Sequence, residues 1–120
     1  MAVFSTNLII YKHTDFEQTF VLEDGQSNSA KDLTGFTAQS KLRKSPTNYR
    51  FADIQVGIVN ASQGQVNISI ASSITKFLQG GRHVYDIVLT RPSGFKFVAV
   101  EGNALVRSGI NTFVHYYGSP

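Results

Sequence analysis

The fold is decided by a stretch with a period of two residues, FTAQSKLR at residues 36–43. Apolar or small side chains alternate there with polar and charged ones, and in a β-strand successive side chains point to opposite faces. The stretch therefore predicts a strand with one buried face and one face in solvent. Residues 54–59 and 65–70 repeat the pattern. Each strand of this kind would lay one apolar stripe on a common core.

Turn residues divide the rest of the chain into similar segments. Pro46, Gly64 and Pro92–Gly94 stand between apolar runs, where proline and glycine end a strand or close a hairpin. Seven short strands joined by turns are typical of an antiparallel β-sandwich. The predicted strands are 4–11, 16–22, 33–43, 52–59, 65–71, 83–91 and 95–106. The predicted core residues are Phe20, Leu22, Phe36, Ala38, Leu42, Ile54, Val56, Val66, Ile68, Ile70, Tyr85, Ile87 and Leu89.

One short helix is predicted over residues 73–78, between the fifth and sixth strands. Ser72 is a residue type that caps helix N-termini, and the Gly80–Gly81 pair is placed to end the helix. Ile74 with Phe77 or Leu78 would form its inward face, because residues three or four apart share one side of a helix.

Length and composition indicate a single domain that folds without cross-links. The chain has 120 residues, 42% of them hydrophobic, and no cysteine, which excludes disulfides, thiolate metal sites and cysteine nucleophiles. The predicted domain spans residues 1–107, and residues 108–120 form a C-terminal tail. No apolar run approaches the ~18 residues that cross a bilayer, so we expect no membrane partner. The N-terminus lacks the basic start of a signal peptide, and we expect none.

Residue types that perform catalysis or bind metals are scattered along the chain. His13, His83 and His115 lie too far apart for a zinc motif, and we interpret them as surface or rim histidines. The acidic stretch 23–28, with Asp32 beyond it, misses the spacing of a calcium loop. We therefore predict no enzyme, no metal site and no cofactor.

Asp86 differs from the other carboxylates because it lies inside an apolar strand, beside Tyr85. A buried carboxylate is costly unless it is paired or hydrogen-bonded. We expect Asp86 to accept backbone N–H groups or to meet an arginine such as Arg82 or Arg107. For Tyr85 we expect a contact of the tyrosine-corner type.

A basic stretch surrounds the Pro46 loop, and aromatic residues are interleaved with it. Such a pattern can bind single-stranded nucleic acid, but it is also that of a solvated strand face with a loop anchor. With a net charge of only +3, we favour the solvated face and expect no nucleic-acid partner. The residues concerned are Lys41, Arg43, Lys44, Tyr49, Arg50 and Phe51.

One long stretch resembles a recurrent pattern of bacteriophage proteins. Ile74–Leu89 contains a threonine-bearing short helix, then glycine, Tyr-Asp and an alternating strand. A tight turn and an apolar strand interrupted by Gly102 follow, and Leu33–Arg43 is similar to an earlier strand of the same domains. The resemblance is to the immunoglobulin-like domain of phage tail and baseplate proteins, as found at the N-terminus of upper baseplate proteins and in tail-fibre-associated proteins. It implies an immunoglobulin-like sandwich that docks to the virion and oligomerises, without catalytic residues.

The predicted fold is thus all-β, a seven-stranded immunoglobulin-like antiparallel sandwich with one short helix. The predicted function is that of a virion structural protein of a phage tail, baseplate or fibre-attachment region, made in the host cytoplasm. Its expected partners are other virion proteins and further copies of itself.

The C-terminal tail provides the predicted interface residues, Phe113, Val114, Tyr116 and Tyr117. Apolar side chains beyond the last strand have no core of their own, so they would lie on the flank of the domain or bury against a neighbour. The alternative function is a carbohydrate-binding β-sandwich module used in host-surface recognition. In that case Tyr49, Tyr116 and Tyr117 would contact the sugar.

Overall fold

The computed structural model describes residues 4–22, 31–45 and 51–108. Within these ranges the fold is all-β with one short α-helix, as predicted. The helix is α1 (Ser72–Thr75), and a 3-10 turn covers Ala61–Gln63. The strands are β1 (Phe4–Ser5), β2 (Leu8–Tyr11), β3 (Phe16–Val21), β4 (Thr37–Arg43), β5 (Phe51–Asn60), β6 (Gln65–Ile70), β7 (Gly81–Thr90) and β8 (Lys96–Arg107).

The strands form one continuous hydrogen-bonded path in the order β1-β8-β7-β4-β5-β6-β3, with β2 also on β8. Strand β5 joins the two parts of this path, because residues 51–54 pair with β4 and residues 55–60 pair with β6. The division into two separate packed sheets therefore stays a prediction. Pairing is antiparallel except that β1 and β2 run parallel to β8, which was not anticipated.

The predicted first strand is split into β1 and β2 where it crosses Gly102 of β8. A Cβ at Gly102 would overlap the carbonyl oxygen of Thr6, so the backbones can approach this closely only because residue 102 is glycine. The Thr6 N–H donates to the Glu101 carbonyl at 3.1 Å. The Tyr85 hydroxyl donates to the Thr6 carbonyl at 2.8 Å, and burial raises the pKa of Tyr85 to about 12. Tyr85 thus reaches a backbone carbonyl, as in a tyrosine corner, but one that is distant in sequence, between β1 and β2.

One hydrophobic cluster forms the core. Each predicted core residue is buried in it or packed against it, although Phe36, Ala38 and Val56 are only partly buried. The sequence analysis missed the contribution of the N- and C-terminal strands, which the parallel pairing of β2 with β8 brings to the core. The missed residues include Leu8, Ile10, Val100, Ala104 and Val106.

Strand β4 begins at Thr37 rather than at residue 33, because a turn precedes it. Leu33 is fully buried outside any strand, and its N–H donates to the Ala61 carbonyl at 2.8 Å. The Phe36 N–H donates back to the Leu33 carbonyl at 3.0 Å, and Gly35 has a φ of 82°. This turn places an apolar side chain in the core without strand pairing.

Helix α1 is fixed by the segment that joins β2 to β3. The prediction that Ser72 caps it is wrong: the N-cap is Ala71, with no side-chain cap bond. The Asp15 carboxylate instead accepts the Ser72 N–H at 2.6 Å. Thr75 is fully buried, and its hydroxyl donates to the Thr14 carbonyl at 2.8 Å. A helix of one turn needs tertiary contacts of this kind to form.

Candidate functional surfaces

A groove of about 490 Å³ lies over β4, β7 and β8. The strand register aligns a row of side chains across the sheet here, all of which except Asp53 line the groove, and we call this row the charged row. It consists of Asp53, Lys41, Asp86, Glu101 and Ser5, on β5, β4, β7, β8 and β1 in turn. Residues that face each other across strands interact strongly, and like charges in such positions destabilise the pairing.

Within the charged row, Asp86 is half-buried and its pKa is raised above the ordinary value of 3.8. Burial is the main cause, Arg43 opposes it, and the facing carboxylate of Glu101 adds to it. Asp86 therefore binds a proton more tightly than a free carboxyl does. The arginine that acts on Asp86 is thus Arg43, not Arg82 or Arg107, which the sequence suggested. Arg82 lies four residues along the same strand, about 13 Å away.

Three of the basic and aromatic residues predicted near the Pro46 loop, Lys41, Arg43 and Phe51, meet at the end of the charged row. Lys41 Nζ lies 4.2 Å and Arg43 Cζ 4.9 Å from the centre of the Phe51 ring, at distances typical of cation–π contacts. Lys41 Nζ is also 3.8 Å from an Asp53 carboxylate oxygen. Asp53 and Asp86 are the register partners of Lys41 on its two sides, so the charged row carries mixed charge rather than the positive track that phosphates need.

Lys44, another member of the predicted basic cluster, does not line the groove. Lys44 Nζ donates to the Gly80 carbonyl at 3.2 Å and thus ties β4 to the start of β7. Tyr49 and Arg50 lie outside the described residues.

A second surface, which we call the helix surface, consists of Ile74 and Phe77. The sequence predicted that Ile74 faces inward together with Phe77 or Leu78. Of these, Leu78 is buried, whereas Phe77 is 80% and Ile74 40% exposed. The inward positions are taken by Thr75 and Leu78, because the contact of Thr75 with the β2–β3 connection sets the orientation of the helix. Lys76 Nζ lies 5.1 Å from the centre of the Phe77 ring.

A third surface, the β2–β8 flank, consists of Ile9, Tyr11 and Leu105. Ile9 and Leu105 are register partners, and Tyr11 is the partner of Arg107, whose Cζ lies 5.9 Å from the tyrosine ring. All three side chains are exposed. Sequence reasoning did not find the exposure of Ile9 and Leu105, because β2 reads LIIY, which is apolar on both faces and carries no alternation.

The structure corrects one of the histidine assignments. His83 is buried rather than at a rim, its Nδ1 lies 3.3 Å from the Gly81 carbonyl oxygen, and burial lowers its pKa. His13 is exposed, with a φ of 68°, and His115 lies outside the described residues. Within the described ranges, no group of three His, Cys, Asp or Glu side chains is placed to hold a metal ion.

The acidic stretch considered for calcium is described only at Asp32, since residues 23–28 fall outside the described ranges. One Asp32 carboxylate oxygen accepts the Thr34 hydroxyl at 2.6 Å and the Thr34 N–H at 3.0 Å. These hydrogen bonds lower the pKa of Asp32. The carboxylate therefore stabilises a local turn.

Several predictions concern parts of the chain beyond the described ranges. The interface residues Phe113, Val114, Tyr116 and Tyr117 lie there, as does most of the 108–120 tail. Over the part that is described, none of the helices has the length and apolar character needed to cross a bilayer.

Comparison with known proteins identifies a structural relative. No protein-family model matches the chain, and no curated protein matches it. Among solved structures, the chain is similar to the N-terminal domain of phage TP901-1 ORF48, with a TM-score of 0.52 and 15% sequence identity. The match covers 89% of this chain and 99% of that one. At 15% identity the similarity shows a shared fold. As a statement about fold, the resemblance to phage domains indicated by the sequence is confirmed.

Proposed function

We propose that the chain is a structural protein of a bacteriophage virion, in the tail, baseplate or fibre-attachment region. The observation that carries the proposal is the fold shared with a phage domain over 89% of this chain and 99% of that one. In this role the chain binds other virion proteins and further copies of itself, after synthesis in the host cytoplasm.

The surface proposed for assembly is the helix surface, Ile74 and Phe77. Protein interfaces are enriched in aromatic side chains, which often supply most of the binding energy. Phe77 is 80% exposed, and α1 is held in place by Asp15 and Thr14. An aromatic ring on an anchored turn loses little conformational freedom on binding, which favours its use as a contact residue.

The proposed role is binding rather than catalysis. In the charged row, the cation Lys41 is engaged by its neighbours Asp53 and Phe51. Ser40, the hydroxyl nearest Asp86 in register, is buried on the other face and donates to the Asp86 main-chain carbonyl at 2.5 Å. A substrate turnover that is abolished by Asp86→Asn would contradict this part of the proposal.

The virion role is tested by labelling. Antibodies raised against the chain should decorate the tails of purified virions from cells that produce it. Virions that lack the chain, by labelling and by mass spectrometry, would overturn the proposal.

The assembly surface is tested separately by light scattering on the full chain. We expect a mass above the monomer that rises with concentration, and a loss of this association in Phe77→Ser. Phe95→Ser is the matched control, since Phe95 is 58% exposed in the turn between β7 and β8, at the other end of these strands. If Phe95→Ser reduces association as much as Phe77→Ser does, the helix surface is not the assembly surface.

A further inference from the structure

The turn between β7 and β8 carries aromatic rings and cations at one end of the strands. Phe95 is 58% exposed there. The Arg91 Cζ lies 5.2 Å from the centre of the Phe95 ring and 5.3 Å from that of the Phe97 ring. The ring centres of Phe97 and Phe36 are 6.3 Å apart, and Lys31 Nζ lies 6.0 Å from the centre of the Phe36 ring. We call these residues the aromatic tip.

Hydrogen bonds and packing fix the backbone of the aromatic tip. The Arg91 N–H donates to the Phe95 carbonyl at 2.8 Å, and the Gly94 N–H donates to the Arg91 carbonyl at 2.8 Å. Gly94 has a φ of 97°, which favours glycine. The turn that precedes β4 packs against this one, since a Cβ at Gly35 would lie 2.8 Å from Pro92 Cγ. The rings and cations of the aromatic tip therefore stand on two turns that support each other.

The two cations of the aromatic tip have no anionic partner within the described ranges. Neither Arg91 nor Lys31 forms an ion pair there. Asp32 is the carboxylate next to Lys31 in the chain, and it accepts two hydrogen bonds from Thr34 instead. An arginine that lies over aromatic rings keeps its N–H donors in the plane of the guanidinium group, where a carboxylate can accept two of them. The aromatic tip is thus a cationic site to which the described part of the chain supplies no acceptor.

A carboxylate fits the aromatic tip better than a nucleobase does. Sites for single-stranded nucleic acid combine a positive track with rings on which successive bases stack. Phe36 and Phe97 are half-buried against the core, and a cation lies near each of these rings. Of the three rings, Phe95 alone is largely exposed. The aromatic tip therefore offers one apolar contact beside an arginine, which suits an acidic side chain with an apolar neighbour.

We propose that the aromatic tip binds an acidic segment of another protein. A carboxylate of that segment accepts hydrogen bonds from the Arg91 guanidinium, an apolar neighbour packs on the Phe95 ring, and Lys31 attracts a further carboxylate. Complementary charge of this kind orients two partners and speeds their encounter. The inference goes beyond the proposed virion role and does not rest on it. It uses a surface separate from the helix surface, because α1 precedes the start of β7 and the aromatic tip follows its end.

An NMR titration of the isotope-labelled full chain tests the proposal. The probe is a peptide of three Gly-Asp-Leu-Glu repeats, and its uncharged counterpart has three Gly-Asn-Leu-Gln repeats. We expect the acidic peptide alone to shift the amides of residues 91–97, less strongly as salt is added. Arg91→Gln should weaken this binding about fivefold, which corresponds to the loss of one exposed ion pair. Arg82→Gln is the matched control, since Arg82 is an exposed arginine at the other end of β7, and it should leave the affinity unchanged.

Three outcomes would overturn the proposal. Equal binding of the acidic and uncharged peptides, or equal losses in Arg91→Gln and Arg82→Gln, would mean that the aromatic tip does not recognise carboxylates. An oligothymidylate that binds more tightly than the acidic peptide and is lost in Arg91→Gln would make the partner a nucleic acid. A mass by light scattering that falls in Arg91→Gln would make the partner a second copy of the chain. None of these outcomes bears on the presence of the chain in virions, which antibody labelling tests.

Discussion

Gly102→Ala tests the close approach of the N-terminal strand to β8. An ideal Cβ at position 102 would overlap the Thr6 carbonyl oxygen and lie 2.8 Å from the carbonyl carbon, as well as 3.3 Å from the Tyr85 ring. The atoms of Thr6 are backbone atoms, so the clash cannot be relieved by rotating a side chain. The strand must move away from β8 for the substitution to be accommodated.

The expected loss follows from the contacts that this movement breaks. Thr6 makes two hydrogen bonds at this point. Its N–H donates to the Glu101 carbonyl at 3.1 Å, and its carbonyl accepts the Tyr85 hydroxyl at 2.8 Å. Each is worth about 1 kcal/mol, and a buried hydroxyl left without its acceptor costs about 1–3 kcal/mol more. We expect the free energy of unfolding to fall by about 3–5 kcal/mol, a large part of the ~5–15 kcal/mol of a typical domain.

The assay is urea denaturation followed by circular dichroism, with two comparisons. Gly57→Ala is the matched control: Gly57 is exposed on β5 with no atom within 4 Å of an added Cβ, so alanine should be neutral or slightly stabilising. Tyr85→Phe should cost much less in the Gly102→Ala background than alone, because the hydrogen bond is already lost there. If Gly102→Ala proves as stable as Gly57→Ala, the described path of Thr6 over Gly102 is refuted.

Three further predictions concern the core, the helix and the charged row. Ile68→Ala should lower the free energy of unfolding by about 2–5 kcal/mol in urea, since Ile68 is fully buried; a near-neutral result would contradict the register of β6. Asp15→Ala should cost about 0.5–2 kcal/mol in the same assay, because it removes the acceptor for the Ser72 N–H, while Asp15→Asn keeps one. Equal losses in the two Asp15 variants would count against this cap. Asp86→Asn should retain stability at pH 7 and change its pH dependence. Burial raises the pKa of Asp86, so the folded state binds the Asp86 proton more tightly than the unfolded state does. The stability that this proton contributes is therefore present below pH 3.8 and is lost as the pH rises through the raised pKa of the folded state. In denaturation curves taken across this range, a wild-type stability that rises relative to the variant would contradict the raised pKa.

Alternation in the sequence predicted the strands that have one face in solvent. In β6 every second residue is buried, and Val66 and Ile68 lie in the core as expected. In β2 the same rule cannot distinguish the two faces, because Ile9 and Ile10 are both apolar while only Ile10 is buried. The parallel pairing of β2 with β8 also joins residues nearly a hundred positions apart, and nothing local in either strand encodes it.

The candidate surfaces were less predictable than the strands. Asp86 was recognised as unusual from its apolar neighbours, but the neighbouring charges depend on strand register: Arg43 on that between β4 and β7, and Glu101 on that between β7 and β8. For α1, helical spacing placed Ile74 inside and left Phe77 and Leu78 as alternatives for the second inward position. In a helix of one turn, the tertiary contact of Thr75 outweighs that spacing and turns the aromatic ring outward.

The parallel pairing of β1 and β2 with β8 also determines how the domain would carry mechanical load. The chain enters this pair at Phe4, opposite Val100, and leaves it at Arg107, opposite Tyr11. A force that pulls these two points apart acts along the strands in opposite directions. It therefore strains the hydrogen bonds of the pair together, in shear, whereas an antiparallel hairpin pulled from its open end would lose them one at a time.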